Sequence, residues 1–236
     1  MKKSLQTGFI ISMIFLSANV FGQTNGLQLS QDRNVKKTAK TYFDLMVNMQ
    51  STNLHYGGSN STLSGYKRPV KGIQAGASFQ AGITPVFSLV SELYFMKKGG
   101  ELKTGNSLYA KRSTLRLNTL ELPVLARFHA GKLYMNAGPS IAYSLSGNKK
   151  IDDSSAKLSF GKSVGSFKRL DAGIQIGGGL ELPLKQKRIA VDLRYNYGLT
   201  NISYGNEMYN RSFMVSVHFS KLWKTNPFEK VKNSTN

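Results

Sequence analysis

The chain has 236 residues, of which 32 are Lys or Arg and 12 are Asp or Glu, for a formal charge of +20. It has 0 Cys and 3 His, which excludes a disulfide framework, a cysteine-based zinc site and a histidine-rich metal cluster. So basic a balance points to nucleic acid or to an anionic surface.

The first element decides between those two. Residues 1–22 read as a secretory signal peptide: Lys2 and Lys3 form a positive start, Gly8 to Leu16 an apolar core, and Val20-Phe21-Gly22 a small-residue cleavage pattern. The apolar run falls short of the ~20 residues a membrane-spanning helix needs. Removing Lys2 and Lys3 leaves +18 on an exported chain, so an anionic envelope surface is expected and nucleic acid is not. Residues 23–38 read as a polar periplasmic linker, 39–223 as one barrel domain and 224–236 as a periplasmic tail.

From residue 41 onward the dominant pattern has period two, the mark of strands with one apolar face. The first strand is expected at about 41–52. Tyr42, Leu45, Met46 and Met49 would also suit a helix face, but Phe43, Leu45, Val47 and Met49 alternate with Asp44, Asn48 and Gln50. In 72–85 Ile73, Ala75, Ala77, Phe79, Ala81 and Ile83 oppose Gly72, Gln74, Gly76, Ser78, Gln80 and Gly82. Further strands are expected at 86–98, 114–128, 132–145, 170–184, 189–200 and 211–222, about eight in all.

Short links at 84–85, 129–132 and 184–187 alternate with long polar ones near 53–71, 99–113, 146–169 and 201–210. Long strands with this asymmetry predict an all-β fold, an eight-stranded antiparallel up-and-down transmembrane β-barrel with both ends in the periplasm. The apolar face would meet lipid. Glu92, Glu121, Arg127, Asp171, Glu181, Asp192 and Arg194 would pair across a plugged lumen, since eight strands leave room only for side chains. Glu92 and Glu121 are expected on adjacent strands, paired with Arg127 or Arg194. Tyr94, Phe95, Phe128, Tyr134 and Trp223 are expected in interfacial aromatic girdles.

Three glycines at 177–179 in "LDAGIQIGGGLELPL" raise the question of a phosphate-cradling loop. That motif needs a following helix, and "ELPLKQKRIAVDLRY" holds none. By parity Gly173, Gly177 and Gly179 face the lumen and Gly178 faces lipid, with Arg194 and Tyr134 expected to fill the space they leave.

The stretches "FSLVSELYFMKKG" (87–99), "LNTLELPVLARFHAGKLYMNAGPSIAYSLSG" (117–147), "DAGIQIGGGLELPL" (171–184) and "DLRYNYGLTNI" (192–202) resemble the PorT-type outer-membrane β-barrel family of Bacteroidota. The resemblance implies an outer-membrane barrel without enzymatic activity, and some members of that family are needed for type IX secretion. The chain departs from the common outer-membrane ending on an aromatic by its tail "KTNPFEKVKNSTN" after Trp223.

His218 and Ser220 invite a lipid A hydrolase reading, because outer-membrane deacylases resemble this in using a His-x-Ser pair. Both residues lie on the lumen-directed face, and a nucleophilic serine also needs an orienting acid. No catalytic residue, cofactor or metal is therefore expected; "IDDSS" at 151–155 is far short of a calcium ligand set.

Lys97, Lys98, Lys111, Arg112, Lys149, Lys150, Lys168 and Arg169, with Lys67 and Arg68, lie in or beside the outward loops. They are the candidates for contact with outer-membrane lipid and lipopolysaccharide phosphates. The expected function is a structural or interaction role for a monomeric barrel in the envelope. The alternatives are an accessory secretion subunit docking periplasmic proteins through the tail, a lipid hydrolase, and a soluble exported ligand-binding barrel.

Overall fold

The computed structural model describes residues 39–184 and 187–222. The signal, the linker, Trp223 and the tail lie outside the described residues. Ten strands run in chain order: β1 (Tyr42–His55), β2 (Lys67–Arg68), β3 (Val70–Thr84), β4 (Phe87–Leu102), β5 (Ser113–Ala130), β6 (Leu133–Ile151), β7 (Ser154–Lys157), β8 (Leu170–Leu184), β9 (Lys187–Gly198) and β10 (Tyr209–Leu222). Eight of them close a ring of antiparallel pairs in the order β1, β3, β4, β5, β6, β8, β9, β10 and back to β1. Closure removes the unpaired edges that a membrane cannot tolerate.

Alternation in sequence becomes alternation across the wall. On β1 the side chains of Phe43, Leu45, Val47 and Met49 are exposed outward, while Asp44, Met46, Asn48 and Gln50 are buried inside. Exposed Leu, Ile, Val, Phe and Tyr continue around the ring on the other strands, among them Leu93, Leu122, Ile141, Ile176, Leu193 and Phe213. So wide an apolar belt needs lipid, not water. The polar side points inward, as a soluble ligand-binding barrel would not have it.

The inner end is compact. Residues 85–86 join β3 to β4, and 131–132 join β5 to β6, where Gly131 has φ of 67°, a left-handed conformation suited to glycine. The outer end is larger than the hydropathy pattern predicts. β4 runs to Leu102 rather than 98 and β6 to Ile151 rather than 145, and the additional strands β2 and β7 pair with these extensions. Outside the membrane both faces of a strand meet polar surroundings or loops, so its hydrogen bonds persist after its alternation lapses. The acidic "DD" of 152–153 is the two-residue turn between β6 and β7, with Asp152 at φ of 47°.

Two local features set up the interior. The β3–β4 ladder ends at Gly76 opposite Tyr94. Beyond it, buried side chains of β1 take over: Gln50 Nε2 donates to the Lys97 carbonyl (2.6 Å) and Thr52 Oγ1 to the Gly99 carbonyl (3.0 Å). On β8, Gly177 lies opposite Arg194 and Gly179 opposite Asp192. A Cβ on Gly177 would overlap the Leu193 carbonyl and Arg194, and one on Gly179 would overlap the Val191 carbonyl and the Tyr134 ring. The triple glycine is thus a thinned wall beneath two bulky inward side chains.

Above the lumen, all four outer connections fold onto one apolar cluster. Leu54, Leu102, Leu115 and Leu117 of the wall meet Tyr56 and Leu63, then Phe167, then Ile202 and Met208, with Leu108, Tyr109, Leu158 and Phe160 packed against them. Loops read from sequence as polar therefore carry a hydrophobic cap at the outer mouth.

Candidate functional site: charged lumen and basic outer rim

Three tiers of inward side chains fill the barrel. Nearest the inner end is Arg188 of β9. Its Nε donates to Ser220 Oγ (3.0 Å) and its Nη2 to Gln80 Oε1 (2.7 Å) and Asp44 Oδ2 (3.3 Å), while Nη1 pairs with Glu181. Arg127 Nη1 donates to the same Gln80 oxygen (3.0 Å), lies 3.6 Å from Glu181, and stacks over Tyr134 at 4.0 Å. His129 Nε2 lies 3.0 Å from Ser88 Oγ.

Arg194 dominates the middle tier. Its fork meets Glu92 through two bonds of 2.6 and 3.0 Å, a bidentate geometry that charge assistance strengthens. Its Nε donates to Asp192 Oδ1 (3.2 Å), whose other oxygen accepts from Tyr134 Oη (3.1 Å). His218 is enclosed between Asp44 (3.5 Å from Nδ1) and Asp192 (3.4 Å from Nε2).

In the outer tier, Lys98 Nζ binds Glu121 (2.8 Å) and Asp171 (3.3 Å). Glu121 Oε1 also accepts from Gln175 Nε2 (2.9 Å) and Asn196 Nδ2 (2.8 Å), and Asp171 Oδ2 from Asn210 Nδ2 (2.8 Å). Gln175 Nε2 reaches Tyr94 Oη as well (2.8 Å).

The seven charged residues expected inside are all inward, and the tiers join them. Glu92 meets Arg194 as expected; Glu121 does not meet an arginine but Lys98. That lysine corrects the outer-rim expectation. It is 2 % exposed, whereas its neighbour Lys97 faces outward. Adjacent strand residues point to opposite faces, so the parity that puts Glu92 inside also puts Lys98 there. The same parity removes Tyr94 and Tyr134 from the girdle, since both are buried in the lumen, while Phe95 and Phe128 remain outward. Phe128 packs on Phe87 at the inner end with ring centroids 5.0 Å apart. Asp44, Gln80, Gln175 and Arg188 were missed as network members. Arg188 fell between the short link expected at 184–187 and the strand expected from 189, although counting back from Asp192 would have found it.

The remaining basic candidates lie at the outer end but not as one set. Lys97 and Lys150 are exposed outward. Lys111 lies 3.5 Å from Asp152. Arg112 clamps Glu101 with bonds of 2.9 and 3.1 Å and holds that carboxyl below its ordinary pKa. Lys149 sits 3.8 Å over the Tyr109 ring, and Lys168 5.2 Å over Tyr204. Arg169 stacks on Phe160 (4.3 Å) and donates to the carbonyls of Ser144 and Leu145.

The charges are partitioned. Six of the chain's 12 acids and only four of its 32 Lys and Arg residues lie in these tiers, so the lumen's formal charge is −2, and among the described residues the outer end keeps only Glu101, Asp152, Asp153 and Glu207 as acids. His218 and Ser220 belong to the lumen. The serine oxygen accepts from Arg188, and the imidazole faces two carboxylates.

Solved structures with a similar course include the attachment invasion locus protein Ail of Yersinia pestis (9 % identity, 77 % of this chain and 99 % of that one, TM-score 0.42). Others are OprG of Pseudomonas aeruginosa (11 %, 82 % and 100 %, TM-score 0.47) and outer membrane protein W of E. coli (14 %, 78 % and 98 %, TM-score 0.39). No curated protein shows significant sequence similarity to the chain. Residues 19–204 match the outer membrane protein beta-barrel domain, and with the closed antiparallel ring and its lipid-facing belt this makes the chain a member of that family, integral to the outer membrane.

Proposed function

We propose that the chain is a PorT-type barrel with a structural or interaction role in the envelope. In this reading it is neither an open pore nor an enzyme, and its basic outer rim bridges anionic lipid head groups. The charge partition carries the reading: acids are spent inside, against four cations, while the outer rim is left strongly basic beside the leaflet that holds phosphorylated lipid. The non-pore aspect is supported by the filled tiers and the apolar cap above them. The non-enzymatic aspect is supported by Ser220 being tied into the lumen network, where it bonds both Arg188 and Asp44, and by the burial of His218 away from lipid. An accessory role in secretion rests on the sequence resemblance, its candidate docking tail lying outside the described residues.

Phosphorylated lipid retained by barrels washed in mild detergent at rising salt tests the rim. Retention that falls with ionic strength is expected, because salt screens exposed charges; no retained phosphorylated lipid at low salt overturns the reading. Vesicles carrying the barrel should not swell in small sugars, and swelling would show an open pore.

A further inference from the structure

The outward apolar stripe of β1 ends at Met49, and the next residues on that face are the short or polar Ser51, Asn53 and His55. Across the ladder, Ser51 faces Phe213 and Asn53 faces Arg211 of β10; Phe213 in turn faces Tyr195 of β9. Small side chains flanked by large ones leave a groove of about 360 Å³, completed by Lys67 and Pro69. The groove therefore straddles the level where the wall changes from apolar to polar, with Phe213 and Tyr195 below and Arg211, Lys67 and His55 above.

No Asp or Glu lines it. Lys67 Nζ bonds only a neutral oxygen of Asn60 within the described contacts (2.7 Å). Burial, and then Arg211, hold the Lys67 ammonium below its ordinary pKa; burial, Arg211 and Lys67 lower His55 in the same way. Glu207, the carboxylate that counteracts this at His55, lies outside the lining and accepts the Gly58 N–H at 3.3 Å. Arg211 is held in place: its guanidinium stacks 3.5 Å over Tyr197, and Nη1 donates to the carbonyls of Gly198 (2.6 Å) and Asn210 (2.8 Å). Two fixed cations crowded without a counter-charge, above an aromatic floor at the membrane boundary, match an amphiphile with an anionic head.

We propose that this groove binds one phosphate-bearing lipid of the outer leaflet, its phosphate between Lys67 and Arg211 and its acyl chains descending over Phe213 and Tyr195. The proposal rests on the reading of a basic rim against anionic lipid and assigns it a discrete site. A lipid fits better than free phosphate because the lower half of the groove is apolar.

Native mass spectrometry of the barrel in detergent tests this, with lipid A, its dephosphorylated form and inorganic phosphate as probes, and with the gel shift on boiling as the check of folding. The wild type should hold one lipid A. Lys67→Gln with Arg211→Gln should weaken binding roughly tenfold or more, as loss of two charge-assisted contacts implies. Ser51→Phe, which fills the groove and leaves both charges, should weaken it comparably, whereas Lys132→Gln at the inner turn should not. Undiminished binding by the folded double variant and by Ser51→Phe overturns the site. Equal binding of the dephosphorylated lipid, or of inorganic phosphate, also overturns it. Should the wild type retain several lipids in a salt-sensitive manner with no effect of the groove variants, the rim reading survives and this site fails; should it retain none, both fail.

Discussion

The lumen and the outer rim solve opposite electrostatic problems with the same residue types. Inside, removed from water, a charge is tolerable only beside its opposite, and each Lys or Arg touches at least one carboxylate. On the rim, Lys111 and Arg112 still pair with Asp152 and Glu101, but other cations rest on aromatic faces and backbone carbonyls, as Lys149 does on Tyr109 and Arg169 on Phe160. Aromatic and carbonyl contacts position a cation without neutralising it. Every lumen Lys and Arg is therefore paired, while much of the rim is left able to attract anions, so the proposed binding lies outside the barrel and the ion pairs within it serve stability.

Several substitutions would break or sharpen that contrast. The largest effect is expected from Gly177→Leu, whose side chain has no room against the Leu193 carbonyl and Arg194. The variant should yield no folded band in an unboiled gel, and a normal band would show that the wall yields. Next comes Arg194→Ala. It strands Glu92 in the lumen, takes one partner from Asp192, and should cost about 3–5 kcal/mol, seen as a lowered urea midpoint in refolded barrels. Adding Glu92→Gln should recover part of that loss.

The adjacent lysines test the partition directly. Lys98→Ala should cost on a similar scale, about 3 kcal/mol or more, whereas Lys97→Ala should stay within ~0.5 kcal/mol. Equal midpoints for the two would refute the assignment of opposite faces. Tyr134→Phe removes a single bond to Asp192 while keeping the ring over Gly179, so about 1–2 kcal/mol is expected.

The smallest effect belongs to the Glu101–Arg112 pair above the membrane. A carboxyl whose folded pKa is depressed contributes stability that is present above its unfolded pKa and lost as pH falls through the folded one. Glu101 should therefore titrate below an ordinary glutamate, and Arg112→Ala should return it toward the usual value. A carbon-detected NMR titration would read both; an unchanged Glu101 in the variant would show that the exposed clamp is not formed in solution.

Much of this was legible in the sequence, and where it was not the reason is physical. Asp192 and Arg194 could be placed inward because strand side chains repeat every two residues. Lys98 was misread because it closed the strand expected at 86–98 and was taken with the adjoining polar loop, whereas the strand runs on to Leu102 and keeps its alternation through that lysine. The outer connections read as polar, yet Leu63, Phe167 and Met208 are scattered singly through them and form a core only when four loops converge. Signals spread across distant segments leave no local pattern.

By itself, then, the sequence determined where the eight wall strands cross the membrane and which of their side chains face inward there, because both follow from a two-residue period that any short stretch displays. Only the tertiary structure decided which inward charges meet. Arg194 and Glu92, far apart in the chain, face each other across the lumen because closure of the ring sets the stagger of every strand. No single strand carries that information.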